Sequence, residues 1–237
     1  VQPVPAIPQP PMPTFPDCTQ YGGTSGTCTV PTNSQGTLGN KDYAWVRHYP
    51  TLTDPFVYLL YRYGPKGGTT TPVAMGGAGT AADPFLLPEI DVNGGAALCL
   101  TGGSSAGTAK HYAIRDLGQD STGMLYIVPE NATTCPPATV TVAYAVLNVY
   151  QEIDFNGQAM AQPDGTPPAA LVINVYNEGS NDTSDTSVDL SGNANVKAVI
   201  TALGAASLGG GGSGGAFYGS ILAGSITDAG GYAVHYD

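Results

Sequence analysis

The chain has very little positive charge. Of its 237 residues only seven are Lys or Arg, against 18 Asp or Glu, for a net charge of −11. Lys41, Arg47, Arg62, Lys66, Lys110, Arg115 and Lys197 are scattered along the sequence. No basic stripe can therefore neutralise a phosphate backbone, which argues against nucleic acid and anionic membrane as partners. Long apolar runs are missing too: none approaches the roughly 20 residues a membrane-spanning helix needs, so the chain is expected not to span a membrane. His48, His111 and His235 lie far apart, and nothing in their spacing points to a zinc site. Charged residues make up only 11% of the sequence, the usual surface-helix mixture is absent, and no segment of convincing length carries a helical period.

What the chain has instead is 33 glycines and 20 prolines, within a sequence that is 42% hydrophobic. That apolar content is too high for a disordered chain, and the Gly/Pro content is too high for a helical one. An all-β protein with many turns satisfies both. Its four cysteines, Cys18, Cys28, Cys99 and Cys135, are even in number and lack metal-type C-x-x-C spacing. Together with the scarcity of Lys they point to an oxidising compartment, extracellular or at the cell surface. Cys18–Cys28 and Cys99–Cys135 is the expected pairing; spacing alone leaves the other two open.

Three segments differ in composition. Residues 1–17 form a Pro-rich arm, with seven prolines in VQPVPAIPQPPMPTFP. Proline fixes φ and removes a donor, so the expected form is extended and polyproline-II-like, rising ~3.1 Å per residue. Val4, Ile7 and Phe15 give this arm apolar anchors for a neighbouring subunit or for its own domain. Residues 18–87 read as an irregular, aromatic-rich β region. Its centre, residues 43–63, holds Trp45, Tyr58 and Tyr61, rings expected to form a core or interface and, as an alternative, to stack on sugars. From residue 88 to 237, short β-type runs such as IDFNGQ, LVINVYN and VDLSGNANVKAVI alternate with Gly and Asn corners that supply φ > 0. Several runs are apolar on both faces, as in strands covered on both sides. The expected architecture is a β-solenoid of stacked coils, with a β-sandwich as the alternative.

The last fifty residues are the most distinctive. Residues 191–194 (SGNA), 217–221 (FYGSI) and the terminal HYD at 235–237 resemble the C-terminal end of surface domains in PilX-type, type IV pilus-associated proteins. The resemblance implies a β-solenoid-like domain exposed on a surface filament, without known catalysis. It carries no active-site residues across.

Gly103-Ser104-Ser105-Ala106-Gly107 and Gly211-Gly212-Ser213-Gly214-Gly215 match G-x-S-x-G, but neither precedes a helical pattern, which a nucleophile elbow requires. Gly209, Gly211 and Gly214 match G-x-G-x-x-G without the helix that would hold a pyrophosphate. Glu89 with Asp91 and Glu152 with Asp154 are two apart, hence on one strand face, where carboxylates could act as acid and base on a polysaccharide. Too few basic residues accompany them to hold an acidic sugar. Asp182, Asp185 and Asp189 supply oxygen ligands suited to calcium, the one cofactor the sequence makes room for. The expected function is a non-enzymatic structural subunit of an extracellular filament or pilus-associated surface assembly, with self-association or other surface subunits as partners. The alternatives are a carbohydrate-binding adhesin module and a polysaccharide-degrading β-solenoid enzyme.

Overall fold

A computed structural model describes residues 10–14, 43–48, 58–63, 73–74, 77–87, 90–92, 97–119, 122–135, 137–177, 186–209, 214–228 and 230–236. Among these the chain is nearly all strand; the helical segments are single 3-10 turns at Ala106–Thr108 and Pro168–Ala170. Three strands from the aromatic region, β1 (Tyr43–His48), β2 (Tyr58–Tyr63) and β3 (Val73–Ala74), pair antiparallel. β1 then pairs parallel with β6 (Ala97–Gly102), Tyr43 beside Ala97, and joins the aromatic region to the rest.

From Phe85 onward the strand pairing is parallel. One ladder runs β4 (Phe85–Leu87), β7 (Lys110–Ile114), β10 (Ala145–Val149), β13 (Leu171–Val175) and β15 (Asn195–Ala202). A second, separate sheet runs β5 (Ile90–Val92), β8 (Leu117–Gln119), β11 (Ile153–Phe155), β14 (Thr186–Ser191), β16 (Ala205–Gly209) and β18 (Ser225–Asp228). A third set starts at β6 and continues through β9 (Met124–Pro129), β12 (Met160–Ala161), the start of β15, β17 (Ala216–Leu222) and β19 (Ala233–His235). β15 serves two ladders: Asn195 and Val196 pair with β12, while residues 199–202 pair with β13. All-β is therefore correct. The β-sandwich alternative is not, because sandwiches are built from antiparallel sheets.

Parallel register stacks like on like. Leu147 lies beside Ile173, and Ile173 beside Ile200; Leu117 beside Ile153, and Ile153 beside Val188. These side chains are all buried, and they belong to one continuous core reaching from Phe85 to Tyr232. The outward positions of the same strands are half-buried, giving the alternating pattern of β10 and β13. The expectation of strands covered on both faces holds for β6, buried throughout, and fails for β10 and β13, whose outward residues are only half-buried. On one outer face Asn174 Nδ2 donates to Asn148 Oδ1 at 3.0 Å, and the Tyr176 hydroxyl donates to the same oxygen at 3.0 Å.

Corners stack as well. Gly157 (φ 66°) and Gly192 (φ 65°) occupy left-handed conformations in successive layers. A Cβ on Gly192 would meet the Gly157 carbonyl oxygen at 2.8 Å, so a side chain would have to push the two turns apart. The SGNA motif is thus a corner. TVTVAY at 139–144, though its composition favours a strand, is not one; apart from a bridge at Tyr144 to Gly103, it loops out before β10. Replacing Ile173 by Ala should cost about 2–5 kcal/mol through the cavity left between Leu147 and Ile200. Val172→Ala, on the outer face of the same strand, should cost clearly less in the same urea-unfolding experiment.

Candidate functional site

Two surfaces stand out, and both follow from register. The first is the C-terminal end of the stack. The inward column that starts with Leu117, Ile153 and Val188 continues to Ala206 and then Ile226. Ile226 is 51% exposed although it occupies a core position, because no described strand pairs with the far edge of β18. All four residues of β18 are exposed, and Leu222 beside this end is 42% exposed. Next to it the end is partly closed by Tyr232, which is buried and donates its hydroxyl to the Ala194 carbonyl at 2.8 Å. Gly215 makes that possible, since a Cβ there would sit 2.6 Å from the Tyr232 ring. Tyr218 and His235 stack nearly parallel, 4.6 Å between centroids, while Tyr236 stands 80% exposed and takes no part in closing the end.

The second is the outer face of β9, β12, β15 and β17, where an open groove of about 590 Å³ is lined by Gln158, Gln162, Asp164, Asn193, Asn195 and Lys197, with Tyr218 at one side. Lys197 forms an ion pair with Asp164 and lies 5.3 Å from the Tyr218 ring centre. The hydrogen bond from Lys197, and then its charge, hold the Asp164 carboxyl below the ordinary carboxylate range. None of these side chains was singled out in the sequence as a site. The signal existed in the strand alternation of NVKA and AFYG, but only parallel register brings Lys197 beside Tyr218 and Tyr218 beside His235.

The residues singled out beforehand fare unevenly. Cys99 and Cys135 form a disulfide, as expected, and Cys99 packs with Val128 beneath the loop after β9. Cys18 and Cys28 lie outside the described residues, as do Val4, Ile7, Phe15, Asp182 and Asp185. Trp45 lies on β1, and Tyr58 and Tyr61 on β2, with Trp45 opposite Tyr61 and His48 opposite Tyr58. Ser105 of the first G-x-S-x-G match is exposed, begins a 3-10 turn and is followed by strand β7, so the strand-serine-helix elbow is not built there.

Glu152 is exposed and precedes β11, whereas Asp154 is half-buried within it. The register neighbour of Asp154 is Asp189 of β14, a carboxylate pair across strands that sequence spacing could not reveal. Asn156 donates to both Asp154 oxygens at 3.4 Å. Among the described residues no three His, Cys, Asp or Glu side chains gather as a metal site. Compared with protein-family models, curated proteins and solved structures, the chain matches none.

Asp189 Oδ1 is buried without a hydrogen-bond partner, and desolvation raises the pKa of this carboxyl. The folded chain therefore holds this proton more tightly than the unfolded one, so stability falls as pH rises from the unfolded value of about 3.9 through the folded pKa. Asp189→Asn should raise the melting temperature at neutral pH, and that advantage should fade below about pH 4, where the aspartate of the parent is protonated in both states. Thermal melts of the two proteins across this range provide the check.

Proposed function

We propose that the chain is a non-enzymatic structural subunit of an extracellular filament or pilus-associated cell-surface assembly, its parallel ladders being the stacked coils of a β-solenoid. One observation carries the reading: an inward column that ends on Ile226, half-exposed at a position where each earlier layer is buried. A strand edge with unpaired N–H and C=O groups, next to uncovered apolar side chains, is a template for a further strand. The occupant proposed is a second copy of the chain, continuing the parallel pairing beyond β18 and β19.

Supporting features come from the sequence. The last fifty residues resemble the end of PilX-type surface domains. The Cys99–Cys135 disulfide suits an oxidising exterior. The Pro-rich arm, low charge density and small-residue corners suit a chain whose contacts are backbone pairing and close packing. A surface subunit needs no catalytic group, and a net charge of −11 suits its solubility.

Analytical ultracentrifugation over a wide concentration range, with electron microscopy of the concentrated sample, tests this reading. Self-association is expected, and Ile226→Lys should abolish it without lowering the melting temperature, since Ile226 is half in solvent already. A parent protein that stays monomeric throughout, or an Ile226→Lys variant that assembles equally well, would overturn end-to-end pairing. Antibody labelling of intact source cells tests the surface location separately.

A further inference from the structure

The groove across β9, β12, β15 and β17 is a different part of the molecule from the edge of β18. The starting point is Gln162. β12 ends at Ala161, and Gln162 then takes a left-handed backbone conformation, φ 67°, which a side chain other than glycine adopts only at a cost. Its backbone N–H still donates to the Leu125 carbonyl at 3.0 Å. Two residues further along β9, the Ile127 N–H donates not to a backbone carbonyl of the short strand but to Gln162 Oε1, at 3.3 Å. The side-chain amide thus extends the ladder past the end of a short strand.

This arrangement fixes the amide's orientation: oxygen toward Ile127, nitrogen on the other side. Gln162 is 1% exposed, and its Nε2 has no partner. A buried amide donor left unsatisfied costs about 1–3 kcal/mol, and native structures rarely keep one without a reason. Gln162 lines the groove on the outer face. The strained backbone and the unsatisfied donor therefore meet at the same surface.

The groove's other side chains define what it would accept: Met124 and Met160 give it an apolar part, and the rest is polar. Gln158, Asn193 and Asn195 present amides, each able to donate and accept. Asn195 already turns its amide toward the Asn193 carbonyl at 3.2 Å. Among the described lining residues the one cation, Lys197, is balanced by Asp164, so these residues together carry no net charge. A phosphate or uronate would find no unpaired cation here, and the chain's overall charge of −11 repels it. A neutral polyhydroxyl ligand suits these amides, because each hydroxyl also donates and accepts. The site crosses four neighbouring strands, roughly 14 Å at ordinary strand spacing, so an elongated ligand fits better than a monosaccharide.

We infer that the outer face of β9, β12, β15 and β17 is a binding groove for a neutral oligosaccharide, held by Asn195, Gln158, Asn193 and the Lys197–Asp164 pair over the buried Gln162 amide. The test is binding of the full chain to an array of linear oligosaccharides, some neutral and some uronic acid-containing, followed by calorimetric titration with the strongest neutral binder. Asn195→Ala and Lys197→Met should each weaken that binding by about fivefold to tenfold, the cost of one lost hydrogen-bonding group. Asn195 is exposed, so its variant keeps the fold even where Lys197→Met does not; melting curves verify both. No binding to any neutral oligosaccharide, a preference for the uronic acids, or affinity unchanged in both folded variants would each overturn the assignment.

Discussion

Parallel backbone pairing between successive passes of the chain is the constraint on which the rest of this molecule depends. Each strand from Phe85 onward pairs parallel with an earlier or a later strand, and the inner ones pair with both, without reversing direction. Residues in equivalent positions are therefore stacked about 4.8 Å apart. That spacing turns one-dimensional patterns into columns. An aliphatic column such as Leu147, Ile173 and Ile200 becomes core. A polar column such as Asn148 and Asn174 becomes an external hydrogen-bonded row, with Tyr176 sharing its oxygen. A one-residue slip would exchange the two, so both columns hold the same register.

The same constraint explains the glycines. Where two turns lie directly over one another, as Gly157 and Gly192 do, the distance between layers is shorter than a Cβ tolerates. Beneath the terminal layer, Gly215 leaves the volume that the Tyr232 ring fills, and the Tyr232 hydroxyl then satisfies a carbonyl of the layer below. Stacking also has to stop somewhere. At the start of the third ladder β6 is covered by β1, whose other edge pairs with β2. At the other end Tyr232 covers part of the core, and the column leading to Ile226 runs out into solvent. That asymmetry underlies the proposed assembly.

Outside the core, register brings together groups that serve each other's chemistry. Lys197 lies between the Asp164 carboxylate and the Tyr218 ring, and Tyr218 in turn stacks on His235. Asp154 and Asp189 become neighbours on another face, where one Asp189 oxygen, Oδ1, is buried without a hydrogen-bond partner. Gln162 sits where a strand ends one hydrogen bond too early and its side chain supplies the missing acceptor. Polar groups in such positions are under-satisfied by construction, which is why the outer faces, and not the core, carry the binding proposal.

The composition alone determined that this chain is all-β, because so many glycines and prolines leave helices without a place and so few charges leave them without a surface. Alternation within LVINVYN and NVKAVITA gave away which side chains are inward, and Gly next to Asn marked the corners at residues 157 and 192. Only the tertiary structure decided which strand lies on which. β16, built from AASLG, has almost no intrinsic strand preference and was not anticipated; it forms because Val188 and Leu190 below offer it backbone partners. TVTVAY, with strong preference, remains a loop: its pairing is limited to the bridge of Tyr144 to Gly103. The carboxylate pair Asp154–Asp189 and the groove around Gln162 were invisible for the same reason. Local chemistry selects the conformation of a short segment, but contacts between residues tens of positions apart exist only once the register of a whole stack is set.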